Sequence, residues 1–345
     1  MRSSLKSSGK GGFALLFKLL ISQFQVLGLV SSFELQWPLQ VTQLLNYSNR
    51  LAASPQTILS FDCFLQNSIP PPFKRFYIYL LLGWSLPLFA ILAGSTCLLC
   101  KSWKAKAFPS ILICLYLLQP WVARSMLEVF DCLWIGKERF LSHELTERCW
   151  EGKHLLFSIV LGGTGLLLWG LGIPLIWKFF LRRYPKSPRL RFLTVGYSVP
   201  HWEVMIALRK LTIGIIAALM ASRGSLLQAL LLSLILGIFV AQTLRARPYL
   251  DPSHNHFELL SLCALLFTAY AGIFFLSHRR ASSSDFLEGR DLELSAFDRW
   301  VLFIGLFLSN ALFFLCWTRA FFKHLKATCK SRLSHCFKCF WRESA

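Results

Sequence analysis

The chain has 345 residues, of which 55% are hydrophobic, 15% aromatic and 16% charged, with a mean hydropathy of +0.52 and a formal net charge of +20. A water-soluble globular protein cannot bury so much apolar surface, whereas a lipid bilayer accommodates it. A nucleic-acid-binding protein would carry this charge on a polar surface, so the composition excludes that class and predicts an all-α, polytopic helical membrane protein.

Eight apolar segments, each close to the roughly 20 residues that cross about 30 Å of hydrocarbon, predict eight transmembrane helices. In chain order they are 13–33, 76–100, 108–127, 155–177, 204–221, 226–244, 257–277 and 301–317. Two are interrupted by polar residues: Lys18, Ser22, Gln23 and Gln25 in the first, Arg209 and Lys210 in the fifth. If either of these two segments does not cross the membrane, the number of crossings becomes odd and the later loops change sides.

The first 33 residues contain no acidic residue and have two interpretations. Ser, Lys and Arg ahead of an apolar run are also typical of a secretory signal or an organellar transit peptide. The apolar run is long and internally polar for a signal core, and no convincing small-x-small cleavage site follows it. We therefore favour a retained first helix, in which Lys18 faces the bundle or extends to the cytosolic headgroups.

The predicted organisation is a cytosolic amino-terminal tail (1–12), a transmembrane domain (13–320) and a basic cytosolic tail (321–345). Segment 34–75 is interpreted as a small external cap, stiffened by Pro70-Pro71-Pro72. Segment 128–154 is a second external loop. The sequon Asn46-Tyr47-Ser48 makes Asn46 a candidate glycosylation site in the external cap.

The loop charges predict the orientation of the helices. With eight crossings and a cytosolic amino terminus, the cytosolic side receives 21 basic and four acidic residues, against 12 basic and 13 acidic on the other side. Such an asymmetry is typical of multi-pass membrane proteins, in a plasma membrane or an endomembrane, and places both termini in the cytosol.

Three cysteines fall in the predicted external loops: Cys63, Cys132 and Cys149. Cys132 and Cys149 bracket one loop and are a candidate disulfide in an oxidising compartment. Cys63 is a competing partner, and three unpaired thiols near the bilayer surface are the other alternative.

The order of elements resembles the transmembrane region of the transient-receptor-potential-like (TRP-like) proteins of fungi, protists and algae. The resemblance covers about residues 13–320. Its residues include FKLLISQFQVLGLVSSFELQWP, SFDCFL, LYLLQPWVARSMLEVFDC, GLGIPLIW, YSVPHWEVMIALRKLTIGI, Gln228, Arg247-Pro248-Tyr249, Asn255 and Glu258. The large extracellular module that many relatives carry ahead of the first helix does not precede this segment. The resemblance implies a channel-like or transporter-like protein that moves ions or lipids.

The charged residues of this region form the candidate functional cluster Glu203, Arg209, Lys210, Arg247, Asn255 and Glu258. Glu203 and Lys210 are two helical turns apart, too far for a direct pair. One interpretation makes the charges of the fifth segment interfacial anchors. The other pairs them with Glu258, Asn255 and Arg247 as a coupled cytosolic gate, because a buried charge needs a partner. The alternative for the whole chain is a receptor or a structural subunit of a membrane complex without transport.

No catalytic constellation, metal site or cofactor motif is predicted, so the protein is not expected to be an enzyme. His254-x-His256 with Asp251 could hold a metal, but solvated loop residues fit that pattern better. Arg124 and Glu128 predict an i,i+4 ion pair.

The tail interleaves aromatic and basic residues, which predicts binding to anionic lipids of the cytosolic leaflet. Its cysteines, Cys329, Cys336 and Cys339, are candidate palmitoylation sites. The expected partners are the lipid bilayer, ions and further copies of the chain, and no nucleic acid.

Overall fold

The computed structural model of the protein describes residues 2–51, 75–99, 104–281 and 295–343, except positions 32, 34, 36, 38, 143, 186, 221 and 222. In chain order, its α-helices are α1 (Arg2–Ser31), α2 (Leu39–Leu51), α3 (Arg75–Leu99), α4 (Lys104–Glu128), α5 (Gly152–Phe157), α6 (Ile173–Arg183), α7 (Arg191–Thr194), α8 (Trp202–Leu219), α9 (Ser225–Ala246), α10 (Pro252–Ala281) and α11 (Ala296–Glu343). The strands β1 (Cys132–Ile135), β2 (Glu138–Leu141) and β3 (Glu144–Arg148) separate α4 from α5.

Within these described residues, seven helices are long and apolar enough to cross a membrane. They correspond to seven of the eight predicted segments and confirm an α-helical polytopic membrane protein. The segment outside this group is α8, whose 18 residues include three charges, Glu203, Arg209 and Lys210. Whether α8 is a further crossing stays a prediction.

Contacts between side chains fix the relative directions of the helices. Lys18 of α1 contacts Glu203 of α8, and Gln25 of α1 contacts Lys210 of α8. The second contact lies seven residues after the first in both helices, so α1 and α8 run parallel. Gln23 contacts Ser261 while Leu35 lies against Gly272, which makes α10 parallel to α1 as well. Helix α11 is antiparallel to α1, because Phe13 packs on Phe321 and Phe24 packs on Phe314. Helix α8 therefore has the direction that a fifth crossing requires.

The fourth predicted span is one continuous helical segment in which α-helical and π-helical parts alternate. Between α5 and α6 lie two π-helical segments, Ser158–Gly163 and Leu166–Gly172. Glycines allow this span to approach α4, since a Cβ atom on Gly162 would lie 2.5 Å from Val129 and one on Gly165 would lie 2.5 Å from Met126. π-Helical turns depart from the regular α-helical hydrogen-bond pattern of the backbone, and they often occur at functional sites.

A small antiparallel sheet of order β1-β2-β3 forms the loop between α4 and α5. The sequence predicts only an external loop here, and the structure adds the three strands. Its alternating polar and apolar residues and the turn at Gly136, where φ is +63°, suit a hairpin. A disulfide joins Cys132 to Cys149, with the two Cα atoms 6.3 Å apart, and holds β1 against the end of β3.

The sheet should depend on this disulfide for its stability. Changing both Cys132 and Cys149 to Ser should lower the free energy of unfolding by about 3 kcal/mol, because the bond closes a loop with a sequence separation of 17 residues. Thermal unfolding of purified protein measures the loss. The control is Cys114→Ser, which removes an exposed free thiol. Equal melting temperatures for the double variant and the control would contradict the expectation.

The α3–α4 interface makes a second packing prediction. A Cβ atom on Gly94 would lie 2.1 Å from Cγ1 of Ile111, a β-branched side chain with little freedom to move. We expect Gly94→Ala to lower the melting temperature by several degrees, in the range of overpacking by about 1–3 kcal/mol. Gly237→Ala in α9 is the matched control, because nothing lies within 4 Å of its added Cβ. A loss of stability in the control alone would refute this account of the interface.

The predicted tail boundary at residue 320 does not coincide with a break in α11, which continues to Glu343. Phe321 packs on Phe13, Phe17 and Trp317 and so belongs to the bundle. The side chains of Cys329, Cys336 and Cys339 lie outside the described residues, as does that of Asn46 within α2.

Candidate functional site

Helix α8 lies at the centre of the bundle. Thirteen of its 18 residues are buried, although three carry a charge. Its apolar residues contribute to three packed clusters: Ile213 to the first, Val204 to the second and Ile206 to the third. Its partly buried residues, at positions 205, 208, 212, 215 and 219, form one stripe, whereas the three charges are buried, so each charge must be satisfied by a neighbouring helix.

Glu203 forms the first buried pair. Its Oε2 atom lies 2.7 Å from the Nζ atom of Lys18 in α1 and accepts a hydrogen bond of 2.8 Å from the Tyr197 hydroxyl. Lys18 also donates to the carbonyl of Phe192 and lies 4.1 Å from the centre of that ring. Burial, followed by the charge of Glu203, raises the pKa of Tyr197 well above its usual value, so this phenol remains a donor.

Arg209 forms the second pair. Its Nη1 atom lies 2.5 Å from Oε1 of Glu258 in α10, and both side chains are almost inaccessible to solvent. Tyr249 donates a hydrogen bond of 3.0 Å to the other carboxylate oxygen. The guanidinium also lies 5.8 Å from the centre of the Phe239 ring of α9. Each charge in this pair is therefore compensated.

Lys210 differs from the other two cations. Its Nζ atom donates to Oε1 of Gln25 at 2.7 Å and to the hydroxyl of Tyr116 at 3.3 Å, and it lies 4.6 Å from the Tyr116 ring centre. All of these partners are neutral, and among the described residues no carboxylate lies within ion-pair distance of it. Lys210 is only 2% exposed.

Polar contacts continue from this cluster toward other helices. Ser261 of α10 donates to Gln23 of α1, and Asn310 of α11 donates to Thr268 of α10 at 3.1 Å. All four side chains are buried. The polar interior therefore extends through α1, α4, α8, α10 and α11.

We define the core charge cluster as Lys18, Glu203, Arg209, Lys210 and Glu258. Four of these, all except Lys18, belong to the predicted site, and the burial of Glu203, Arg209 and Lys210 argues against interfacial anchoring of α8. Glu203 and Lys210 make no direct pair, as their spacing predicted.

Two residues of the predicted cluster lie elsewhere. Arg247 is exposed and ends α9 in a left-handed conformation, with φ at +41°. Asn255 is half-buried, and its amide bonds both the N–H and the carbonyl of Tyr249. The gate interpretation also paired Arg247 with the charges of α8, and among the described residues the ion pairs of α8 are made by Lys18 and Glu258 instead. Asn255 acts on the cluster only by holding Tyr249.

One of the two positions predicted for Lys18, facing the bundle, agrees with the structure, but its partner Glu203 was not predicted. Lys18, Ser22 and Gln25 recur at spacings of four and three residues, which places them on one helical face. This polar stripe on an otherwise apolar helix was the available signal that α1 faces a buried polar partner. No comparable signal marked Tyr116, because a lone tyrosine in an apolar span is ordinary.

The disulfide between Cys132 and Cys149 lies beside His154, one of whose ring nitrogens is within 4.8 Å of both sulfur atoms. This group does not suit a metal, because the sulfurs are bonded to each other. The Trp150 N–H lies 3.1 Å from Nδ1, and Nε2 lies 3.2 Å from the Val129 carbonyl. His154 is thus a hydrogen-bonded residue of the α4–α5 junction.

The His254-x-His256 pattern is also divided in the structure. His254 is buried, 6.3 Å between ring centres from His324 of α11, whereas His256 is exposed. Burial opposes ionisation of nearby Asp251, but the Ser253 N–H and His254 hold its pKa below the usual value.

Arg124 and Glu128 form the predicted i,i+4 pair, at 2.7 Å.

Comparisons of the chain with family models, curated proteins and solved structures found no match.

Proposed function

We propose that this protein is a channel-like or transporter-like membrane protein of the TRP-like group, in which α8 and its neighbours move during the passage of ions or lipids. The observation that carries the proposal is the burial of three charged side chains on one central helix. Charged residues inside a membrane bundle are costly to bury, and they commonly mark substrate pathways, ion pathways or moving elements.

The pairing pattern supports a moving α8. Its three charges bind to three different helices: Glu203 to α1, Arg209 to α10, and Lys210 to α1 and α4. Each contact is a hydrogen bond or an ion pair and can exchange partners without a change in the apolar packing. The π-helical segments of the neighbouring span supply a second irregular element, of a kind that is often found at functional sites.

Reconstitution into liposomes tests the proposal. Purified protein should release an entrapped ion, or move a labelled lipid between leaflets, faster than empty liposomes do. Glu203→Gln keeps the shape and the hydrogen bonding of the side chain but removes its charge, so we expect the flux to change by about tenfold or more, since a hydrogen bond to a charged group contributes about 1.5–3 kcal/mol.

Glu128→Gln is the matched control, because the same substitution there affects only the Arg124 pair at the end of α4. A flux equal to that of empty liposomes, over ions and lipids alike, would refute the proposal. Equal effects of the two substitutions would refute the special role of α8.

The external loop favours a receptor as the second candidate. A surface cavity of about 350 Å³ lies beside the disulfide and is lined by aromatic and charged residues: Trp134, Lys137, Glu138, Arg139, Arg148, Cys149, Trp150 and Glu151. Such a mixture suits a small external ligand. A ligand that protects Trp134 and Trp150 from a collisional quencher, with no flux under any condition, would favour this function over transport.

A further inference from the structure

We infer that the bundle core contains a binding site for a small inorganic anion, centred on Lys210. The core charge cluster holds three cations and two carboxylates. Lys18 neutralises Glu203, and Arg209 neutralises Glu258. Lys210 has no carboxylate of its own, so it carries the surplus positive charge of the cluster when it is protonated.

Two hydroxyl groups on α1 and α4, the helices that contact Lys210, can donate hydrogen bonds to an anion. Ser22 lies on the face of α1 that carries Gln25, one turn away, and its buried hydroxyl has no hydrogen-bond partner. Tyr116 contributes a second hydroxyl, already 3.3 Å from the ammonium group. A buried donor without an acceptor costs about 1–3 kcal/mol, and an anion between Ser22 and Lys210 removes that cost together with the unpaired charge.

The burial of the site determines the class of anion. Lys210, Ser22, Gln25 and Tyr116 are each no more than 5% exposed. A phospholipid phosphate would bring its acyl chains into this packed interior, whereas a monovalent ion such as chloride has no such chains. The anion would also be the moved ion of the proposed channel or transporter, and to that extent the inference rests on the proposed function.

Chloride binding tests the site independently of transport. In detergent, purified protein should bind radiolabelled chloride at one saturable site per chain. Its melting temperature should rise when gluconate is replaced by chloride at constant ionic strength. Lys210→Met should abolish both effects and still fold, because both carboxylates of the cluster keep their own cations when Lys210 is removed. Ser22→Ala should weaken chloride binding by about tenfold, the loss of one hydrogen bond to a charged group.

Lys153→Met is the matched control, since it removes an exposed lysine with the same change of side chain. Binding of chloride that survives Lys210→Met, or no binding to the wild-type protein at any concentration, overturns the inference. If the wild-type protein binds no chloride, the side chain of Lys210 is an uncharged amine and needs no anion. Chloride binding without any flux in liposomes supports the site while refuting the proposed function, so the two failures are distinguishable.

Discussion

Changing Glu258 to Leu should destabilise the folded protein by about 3–5 kcal/mol, because it leaves Arg209 buried without its carboxylate. Arginine remains charged under any accessible condition, so the bundle cannot avoid the cost by losing a proton. A loss of this size is a large share of the roughly 5–15 kcal/mol that stabilises a native protein. We therefore expect poor recovery of monodisperse protein from detergent and a much lower melting temperature.

The double variant Arg209→Leu with Glu258→Leu should recover most of this loss, since two apolar side chains can replace a buried pair at little cost. Glu138→Leu is the control: Glu138 pairs with Arg148 at 3.1 Å, but both side chains are about half-exposed. That pair should contribute less than about 1 kcal/mol. If the double variant is no more stable than Glu258→Leu alone, the Arg209–Glu258 contact is not the cause.

Helical spans could be predicted from the sequence because hydropathy is local. Each segment is apolar over its own length, and seven of the eight predicted segments are helices suitable for crossing a membrane. The sheet at residues 132–148 was missed for the same reason: strands of four or five residues carry too short a pattern to distinguish them from a loop.

The charges of α8 were identified from the sequence, but only some of their partners were. Glu258 follows Arg209 by 49 residues, and its separation from α8 by a single helix made the pairing a reasonable prediction. Lys18 precedes Glu203 by 185 residues, and nothing local to either residue joins them. Arg247 lies nearer to Arg209 in sequence, but it is exposed at the end of α9 and is not part of the cluster. Long-range pairings depend on how the helices pack against one another. The residues around each member of a pair carry no local signal of that packing.

A chain that lacks residues 1–33 should fail to form the folded bundle, because α1 supplies partners to three buried polar groups. Its removal leaves Glu203 without Lys18, Lys210 without Gln25, and Ser261 without Gln23. It also uncovers the apolar surface of α8 and α10 against which α1 packs. Size-exclusion chromatography of detergent extracts should show aggregated protein where the full chain gives a single symmetrical peak.

A second variant separates the polar stripe from the rest of α1. Replacing Lys18, Ser22, Gln23 and Gln25 by Leu keeps a helix that crosses the membrane and packs by its apolar face. The control replaces Phe17 and Ile21, which are only partly buried, by Leu, so that one apolar side chain is exchanged for another and no polar partner is lost. We expect the first variant to resemble the deletion and the control to resemble the wild type. The opposite result is a single symmetrical chromatographic peak for the variant without the polar stripe. It would show that the pairing of α1 with α8 orients the helices but adds little stability, and that the buried charges find other partners.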